Sequence, residues 1–297
     1  MGRSIEVVLV DACLRDGAGG SPTAVLTSGD GLGDAAMARI PPLAGTSHVA
    51  VIGPPVADGA GRTVRFFTSE GELPSCGHGT VAAIAVLAAA GGGYDGRLRA
   101  GGRDFAASAT RDPATGDVVA GGVVAAWFDQ GLVERGTADE GLVGAFLAAL
   151  GLGTGDLRPE DEPTVASPGR PRLLLPVADR DVLAALRPDM ERLAAESRRH
   201  GQLGCFVYAP PSATDRPAAR MFAPAIGVPE DVANANSTGC LAAHLLATGR
   251  GPAVAVDQGD ALGHPSTVYA AAERAPGGIA TRVGGAARLA GSVRLTP

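Results

Sequence analysis

The sequence predicts a mixed fold of strands and buried helices, arranged as two similar domains. Three observations carry this. A strand-like segment, Arg65-Phe66-Phe67-Thr68, leads through a turn-rich stretch into a Gly-led apolar helix, and the same order recurs from Arg220-Met221-Phe222-Ala223 to Gly239-Cys240-Leu241-Ala242-Ala243-His244-Leu245-Leu246. The 297 residues suit about two domains of roughly 100–200 residues each. The regular strand–helix alternation of βαβ units is missing. With 45% hydrophobic and 19% charged residues, the chain can bury a core without disulfide or metal staples, and wholesale disorder is excluded.

Along the chain, Ile5 to Asp11 is β-rich and reads as an opening strand. His48-Val49-Ala50-Val51-Ile52 and Thr63 to Thr68 follow as strands bounded by Gly or Pro. Val81 to Ala90 is apolar all round and stops at Gly91-Gly92-Gly93, the pattern of a helix buried in its own domain. The domain switch is expected near Asp129, after Val123 to Phe128, which gives an N-terminal domain of residues 1–128 and a second of residues 129–287. The last strand, around Ala290 to Leu295, returns to the first domain as residues 288–297. Gly151 to Arg170 reads as an exposed loop, and Asp179 to Arg199 as surface helix interrupted near Pro188.

Composition excludes several functions. All 25 basic residues are Arg, so Schiff-base chemistry, a pyridoxal-phosphate anchor and a Walker-type lysine are ruled out. A net charge of −6 with no Arg-dense stripe argues against a nucleic-acid partner. Cys13, Cys76, Cys205 and Cys240 are far apart, form no CxxC pair and read as free thiols. The opening residues fit neither a myristoylation signal nor a secretory leader, and the longest apolar run is far short of the roughly 20 residues of a membrane span. A cytoplasmic protein with no membrane partner is expected.

The stretch that carries chemistry is Phe67-Thr68-Ser69-Glu70-Gly71-Glu72-Leu73-Pro74-Ser75-Cys76-Gly77-His78-Gly79-Thr80, which runs into the buried helix. Gly77 and Gly79 let backbone N–H groups approach a ligand, and a helix N-terminus suits a carboxylate. Its dipole lowers the pKa of a thiol such as Cys76 and keeps an imidazole such as His78 neutral. A glycine cap on a packed helix is the plainer alternative. Gly77 to Ala82 also fits GxGxxA, but without a βαβ unit a dinucleotide site is disfavoured.

Cys-Gly-His-Gly-Thr after Phe-Thr-x-x-x-Glu-Leu resembles the signature of PhzF-like isomerases, relatives of diaminopimelate epimerase and proline racemase. The resemblance continues in order through Asp11-Ala12 with Gly20-Ser21-Pro22-Thr23-Ala24-Val25, Gly169-Arg170-Pro171-Arg172 with Leu173-Leu174-Leu175-Pro176, Arg220 to Asp231, and Leu262-Gly263-His264-Pro265-Ser266. It implies an α+β, diaminopimelate epimerase-like fold: two pseudo-symmetric domains, each a curved mixed sheet around a central helix. It further implies an active site in the cleft between them, no cofactor and no metal; homodimers are common in the family.

The departures from the family pattern matter as much. Gly45, in Pro42-Leu43-Ala44-Gly45-Thr46-Ser47-His48-Val49, stands where the family has its acid/base glutamate. Ser21 replaces the Asn of Gly-Asn-Pro, and His264 replaces the closing Arg. Of the family's Asp-Pro-x-Thr-Gly-Ser, only Asp231 is kept in Asp231-Val232-Ala233-Asn234-Ala235-Asn236. Asp231, His78 and Cys76 are therefore the expected catalytic residues, with a helix-capping aspartate and a solvated or cap-bonded histidine as the plain alternatives. Substrate contacts are expected from Gly77, Gly79, Gly45, Thr46, His48, Ser21, Asn234 and Asn236. His48 is placed either to take over proton transfer or to pack where relatives carry Phe, and Asn234 and Asn236 either bind a carboxylate or form an Asx turn. Cys240 reads as core, and Cys13 and Cys205 as inert strand thiols.

The resulting expectation is a cofactor-independent isomerase that moves a proton within a small unsaturated carboxylate metabolite. The Lys-free, Arg/Ala/Gly-rich composition points to a GC-rich genome. Family members in such organisms often serve antibiotic pathways, which makes a cyclic amino-acid precursor the expected substrate. An amino-acid racemase or epimerase using Cys76, and a non-catalytic ligand-binding member, are the alternatives.

Overall fold

The structure is a computed structural model that describes residues 4–29, 31–56, 61–110 and 122–297. The opening residues 1–3, read above for targeting signals, lie outside it. Two compact units are present: residues 1–129 with 283–297, and residues 130–282.

The first unit contains β1 (Ile5–Leu14), β2 (Ser21–Leu26), α1 (Asp34–Ala44), β3 (Val49–Pro55), β4 (Gly61–Thr68), β5 (Gly71–Leu73), α2 (Gly77–Gly91), β6 (Tyr94–Ala100) and β7 (Arg103–Thr110). The long strand β8 (Val123–Thr137) begins here and carries the chain into the second unit. Pairing within the unit runs β8–β7–β6–β4–β3–β2–β1, and β5 hangs on β4. It is antiparallel except at β2–β3 and β4–β6. A mixed sheet of this kind leaves one face for a helix, and α2 fills it, packing on β1, β2, β3, β4, β6 and β7. Small residues make this possible: Ala82, Ala83 and Ala85 are fully buried, so strands approach the helix from several sides. Val81 and Ile84 are also fully buried, each stabilising by about 1.5–3 kcal/mol.

The second unit contains α3 (Glu140–Leu150), β9 (Thr164–Ser167), β10 (Arg172–Pro176), α4 (Arg180–Ala185), α5 (Met190–Arg199), β11 (Cys205–Ala209), β12 (Ala218–Ala223), β13 (Val228–Asp231), α6 (Ala235–Ala247), β14 (Ala253–Gln258) and β15 (Ser266–Ala275). The final strand, β16 (Gly278–Leu295), starts here and ends in the first unit, antiparallel to β1. Pairing runs β15–β14–β12–β11–β10–β9–β8, with β13 also on β12. The period of two along β10 sorts its leucines: Leu173 and Leu175 join Phe146 and Leu193 under α3 and α5, while Leu174 joins Cys240 and Leu241 of α6.

Two readings need correction. The stretch from Gly151 to Arg170 contains strand β9 and the buried Asp161, so it is not a plain exposed loop. Helix α6 starts at Ala235, four residues before Gly239. Its first turn is Asn, Ser and Thr, which looks like loop in sequence but is held by side-chain capping. The predicted break near Pro188 is present between α4 and α5.

Candidate active site

Three side chains of the first unit converge at the start of α2. Cys76 is the extended N-cap residue (φ −146°, ψ 119°), and its carbonyl accepts from the Thr80 hydroxyl at 2.7 Å. His78 Nε2 lies 3.5 Å from Cys76 Sγ. A Cβ at Gly79 would stand 3.0 Å from Cys76 Sγ and 3.0 Å from Phe66 Cδ1, so a side chain here would press on both the sulfur and the ring. The third member, His48, meets His78 edge to face, with ring centroids 4.4 Å apart and planes at 82°. His48, Cys76 and His78 are 3%, 6% and 1% exposed.

The turn after α1 delivers His48 to this place. Gly45 closes the helix in the left-handed conformation (φ 68°), and Thr46 N–H bonds back to Pro41 at 2.9 Å. Thr46 Oγ1 donates to the His48 carbonyl at 3.0 Å, while that carbonyl also accepts from Ala24 N–H of β2 at 3.1 Å. His48 Nδ1 sits 2.8 Å from Ser47 Oγ. Burial, and after it the neighbouring His78, pushes the His48 imidazole well below its ordinary value, so the ring is neutral at pH 7. Gly45 itself is exposed, and a Cβ there would meet nothing within 4 Å. Its backbone angle, rather than crowding, is what favours glycine.

The remaining predicted groups of this unit are Gly77, Gly79 and Ser21. Gly77 and Gly79 occupy the first turn of α2, whose leading N–H groups have no carbonyl of their own helix to bind. Ser21 opens β2, and its buried hydroxyl makes no hydrogen bond among the described residues.

In the second unit, Asp231 ends β13 and is 9% exposed. It does not cap the helix. Asn234 does, its Oδ1 accepting from Ser237 N–H at 2.8 Å while its Nδ2 donates to Asp231 Oδ2 at 2.8 Å. Asn234 thus forms the capping turn, with most of its amide committed to these bonds. Asn236 contributes its carbonyl, which accepts from Gln130 Nε2 at 2.8 Å.

Sequence reasoning missed the residues that brace this turn. Gln258 Oε1 accepts from Asn234 N–H at 2.9 Å, and its Nε2 donates to Thr238 Oγ1 at 3.0 Å. Arg172, 2% exposed, donates to Ser237 Oγ at 3.2 Å and to the Arg170 carbonyl at 2.9 Å, while its Nε makes no hydrogen bond among the described residues. An arginine leading a Leu-Leu-Leu strand was the available signal. Cys240, fully buried in α6 with its thiol pushed up by burial, is core, as are Cys13 and Cys205.

A second polar cluster, also missed, lies at the other end of α6. Asp161 accepts from Tyr208 Oη at 2.6 Å, from His244 Nε2 at 2.8 Å and from both terminal nitrogens of Arg250. Burial alone would raise its carboxyl, but these donors outweigh it and hold Asp161 well below the usual carboxylate range. Arg135, His244 and Arg250 line a cavity of about 510 Å³ beside it.

A buried thiol and two imidazoles at a helix start, one of them neutral, form a set of groups that can accept and pass protons. Together with the α+β fold, they suit an enzyme that moves protons. Comparison with known proteins agrees. The phenazine biosynthesis-like protein family (PhzC-PhzF) matches residues 10–291. The chain is 35% identical over 242 residues to an uncharacterized isomerase of Deinococcus radiodurans, covering 79% of this chain and 76% of that one. It is 31% identical over 270 residues, 90% of each chain, to the trans-2,3-dihydro-3-hydroxyanthranilate isomerase of Pseudomonas fluorescens. The crystal structure of a Bacillus anthracis phenazine biosynthesis protein of the PhzF family superposes with a TM-score of 0.83 over 99% of both chains at 18% identity. The chain belongs to the PhzC-PhzF, phenazine biosynthesis-like family.

Proposed function

We propose that this isomerase moves a proton within a small, unsaturated, carboxylate-bearing metabolite, a cyclic amino-acid precursor on a route to an antibiotic. The observation that carries the reading is the His48–His78–Cys76 cluster at the N-terminus of α2. The relative from Pseudomonas fluorescens, named for a partly reduced aromatic amino acid, supports the substrate class.

In this mechanism the N–H groups of the first turn of α2 receive the substrate carboxylate. Neutral His48 or His78 takes the proton from a carbon conjugated to that carboxylate. The electron pair left behind spreads through the conjugated system into the carboxylate, where the helix N-terminus stabilises the added charge. A proton, carried by the same imidazole after exchange with solvent or relayed by Cys76, is then delivered to a second carbon of the system. One C–H bond breaks and another forms, with no net redox change, so the reaction as written calls for no cofactor. Conjugation lowers the demand on the base, which suits a site with Gly45 in place of the family glutamate.

A panel of cyclic unsaturated amino acids and their methyl esters tests this reading through the change in diene absorbance. Turnover of free acids with esters inert supports it. Equal turnover of acids and esters, or none with any member, counts against carboxylate capture at α2.

A further inference from the structure

His48, Cys76 and His78 have a second property that the isomerase reading does not use. One imidazole nitrogen from each histidine and the thiol sulfur all lie within 4.8 Å of one another, and all three residues are buried. We propose that these three side chains form a binding site for one zinc-class divalent ion, with the fourth coordination position open to water or a carboxylate.

The donor spacing is that of a metal site before closure. Bonds of about 2.3 Å to sulfur and 2.0–2.1 Å to nitrogen at tetrahedral angles set the two ligand atoms about 3.5 Å apart. Cys76 Sγ and His78 Nε2 are 3.5 Å apart. The widest of the three separations, at most 4.8 Å, needs to close by little more than about 1 Å to reach tetrahedral spacing, within the range of a side-chain rotation. Ser47 Oγ holds one ring nitrogen of His48 at 2.8 Å, the kind of outer contact that orients a ligating imidazole, and leaves the other as donor.

The chemistry of the set selects the ion. Two imidazoles and a thiolate favour zinc over magnesium or calcium, which need oxygen ligands. Ser47 and Ser75, the chain neighbours of His48 and Cys76, are exposed. An ion in the cluster would occupy the lone pairs that proton transfer requires. On the isomerase reading above it is therefore an inhibitor, although the site itself rests on donor geometry alone.

Cobalt(II) titration of the reduced, chelator-treated full chain tests the site without any substrate, so its failure is separate from failure of the isomerase reading. One equivalent is expected to bind, with visible ligand-field bands of tetrahedral intensity and a near-ultraviolet thiolate-to-cobalt band, all bleached by zinc. Cys76→Ser is expected to remove the thiolate band, whereas Cys205→Ser keeps it. His48→Asn is expected to weaken binding by at least the roughly 10- to 100-fold that loss of an outer-shell partner costs, a readout that stands even if Cys76→Ser does not fold. No cobalt uptake by the wild-type chain, or a thiolate band that survives Cys76→Ser, overturns the proposal.

Discussion

The imidazoles of His48 and His78 meet edge to face at 4.4 Å between centroids, with both residues buried. Burial keeps His48 neutral, and His78 in turn contacts the thiol of Cys76. His48 thus places a neutral imidazole beside the start of α2.

His48→Phe separates packing from chemistry. Phenylalanine keeps the ring against His78 but has no lone pair. Turnover is expected to fall by roughly 10²–10⁴, the usual cost of a lost general base, with the thermal midpoint moving by only a few degrees. Near-normal kcat in this variant would assign His48 to packing alone.

Stability should rise with pH across the acidic range, in two windows. The folded His48 ring titrates below its ordinary value of about 6.5, whereas the unfolded chain titrates near it. Between those values the unfolded state binds the extra proton, so the contribution of the neutral ring is whole above about pH 6.5 and is lost as pH falls below it. Asp161, held low, adds stability that is present above its unfolded value of about 3.9 and is lost as pH falls further. Urea unfolding from pH 7 to 5 should show a shallower slope in His48→Phe than in the wild type; identical slopes would contradict the neutral ring.

Asp231→Asn is expected to reduce kcat by roughly 10²–10⁴ and leave the fold intact. The capping bond from Asn234 to Ser237 does not involve Asp231, and an asparagine at 231 can still accept from Asn234 Nδ2 through its own oxygen. Calorimetry beside steady-state kinetics checks this. Retained turnover would remove the acid/base role from Asp231.

Gly45→Glu places a side chain at a left-handed backbone position with open space around it. The substitution should cost about 1–2 kcal/mol from backbone strain without disturbing the core. A chemical denaturation midpoint equal to that of the wild type would mean that the helix does not end as described.

Much of this architecture was legible because it rests on local chemistry. Val81 to Ala90 is apolar on every face, and no surface helix has that pattern. Cys76, Gly77, His78 and Gly79 lie within four consecutive positions, so one helix start brings them together. What sequence could not show depends on distant partners. The first turn of α6 looks like loop until Gln258 and Gln130 reach it from far along the chain. Asp161 lies in a Pro- and acid-rich stretch, and only Tyr208, His244 and Arg250 make its burial tolerable. The edge-to-face contact of His48 with His78 likewise joins separate strand and helix segments, and no spacing rule predicts it.

Solvent exchange tests the central claim most directly. With a substrate turned over in D₂O, mass spectrometry and NMR should place one deuterium at the carbon that receives the proton in the wild-type product. The rate of that incorporation should fall with kcat in His48→Phe and His78→Asn. Product that forms at the wild-type rate in both variants, with its labelling unchanged, would contradict a proton transfer carried by the imidazoles at the start of α2.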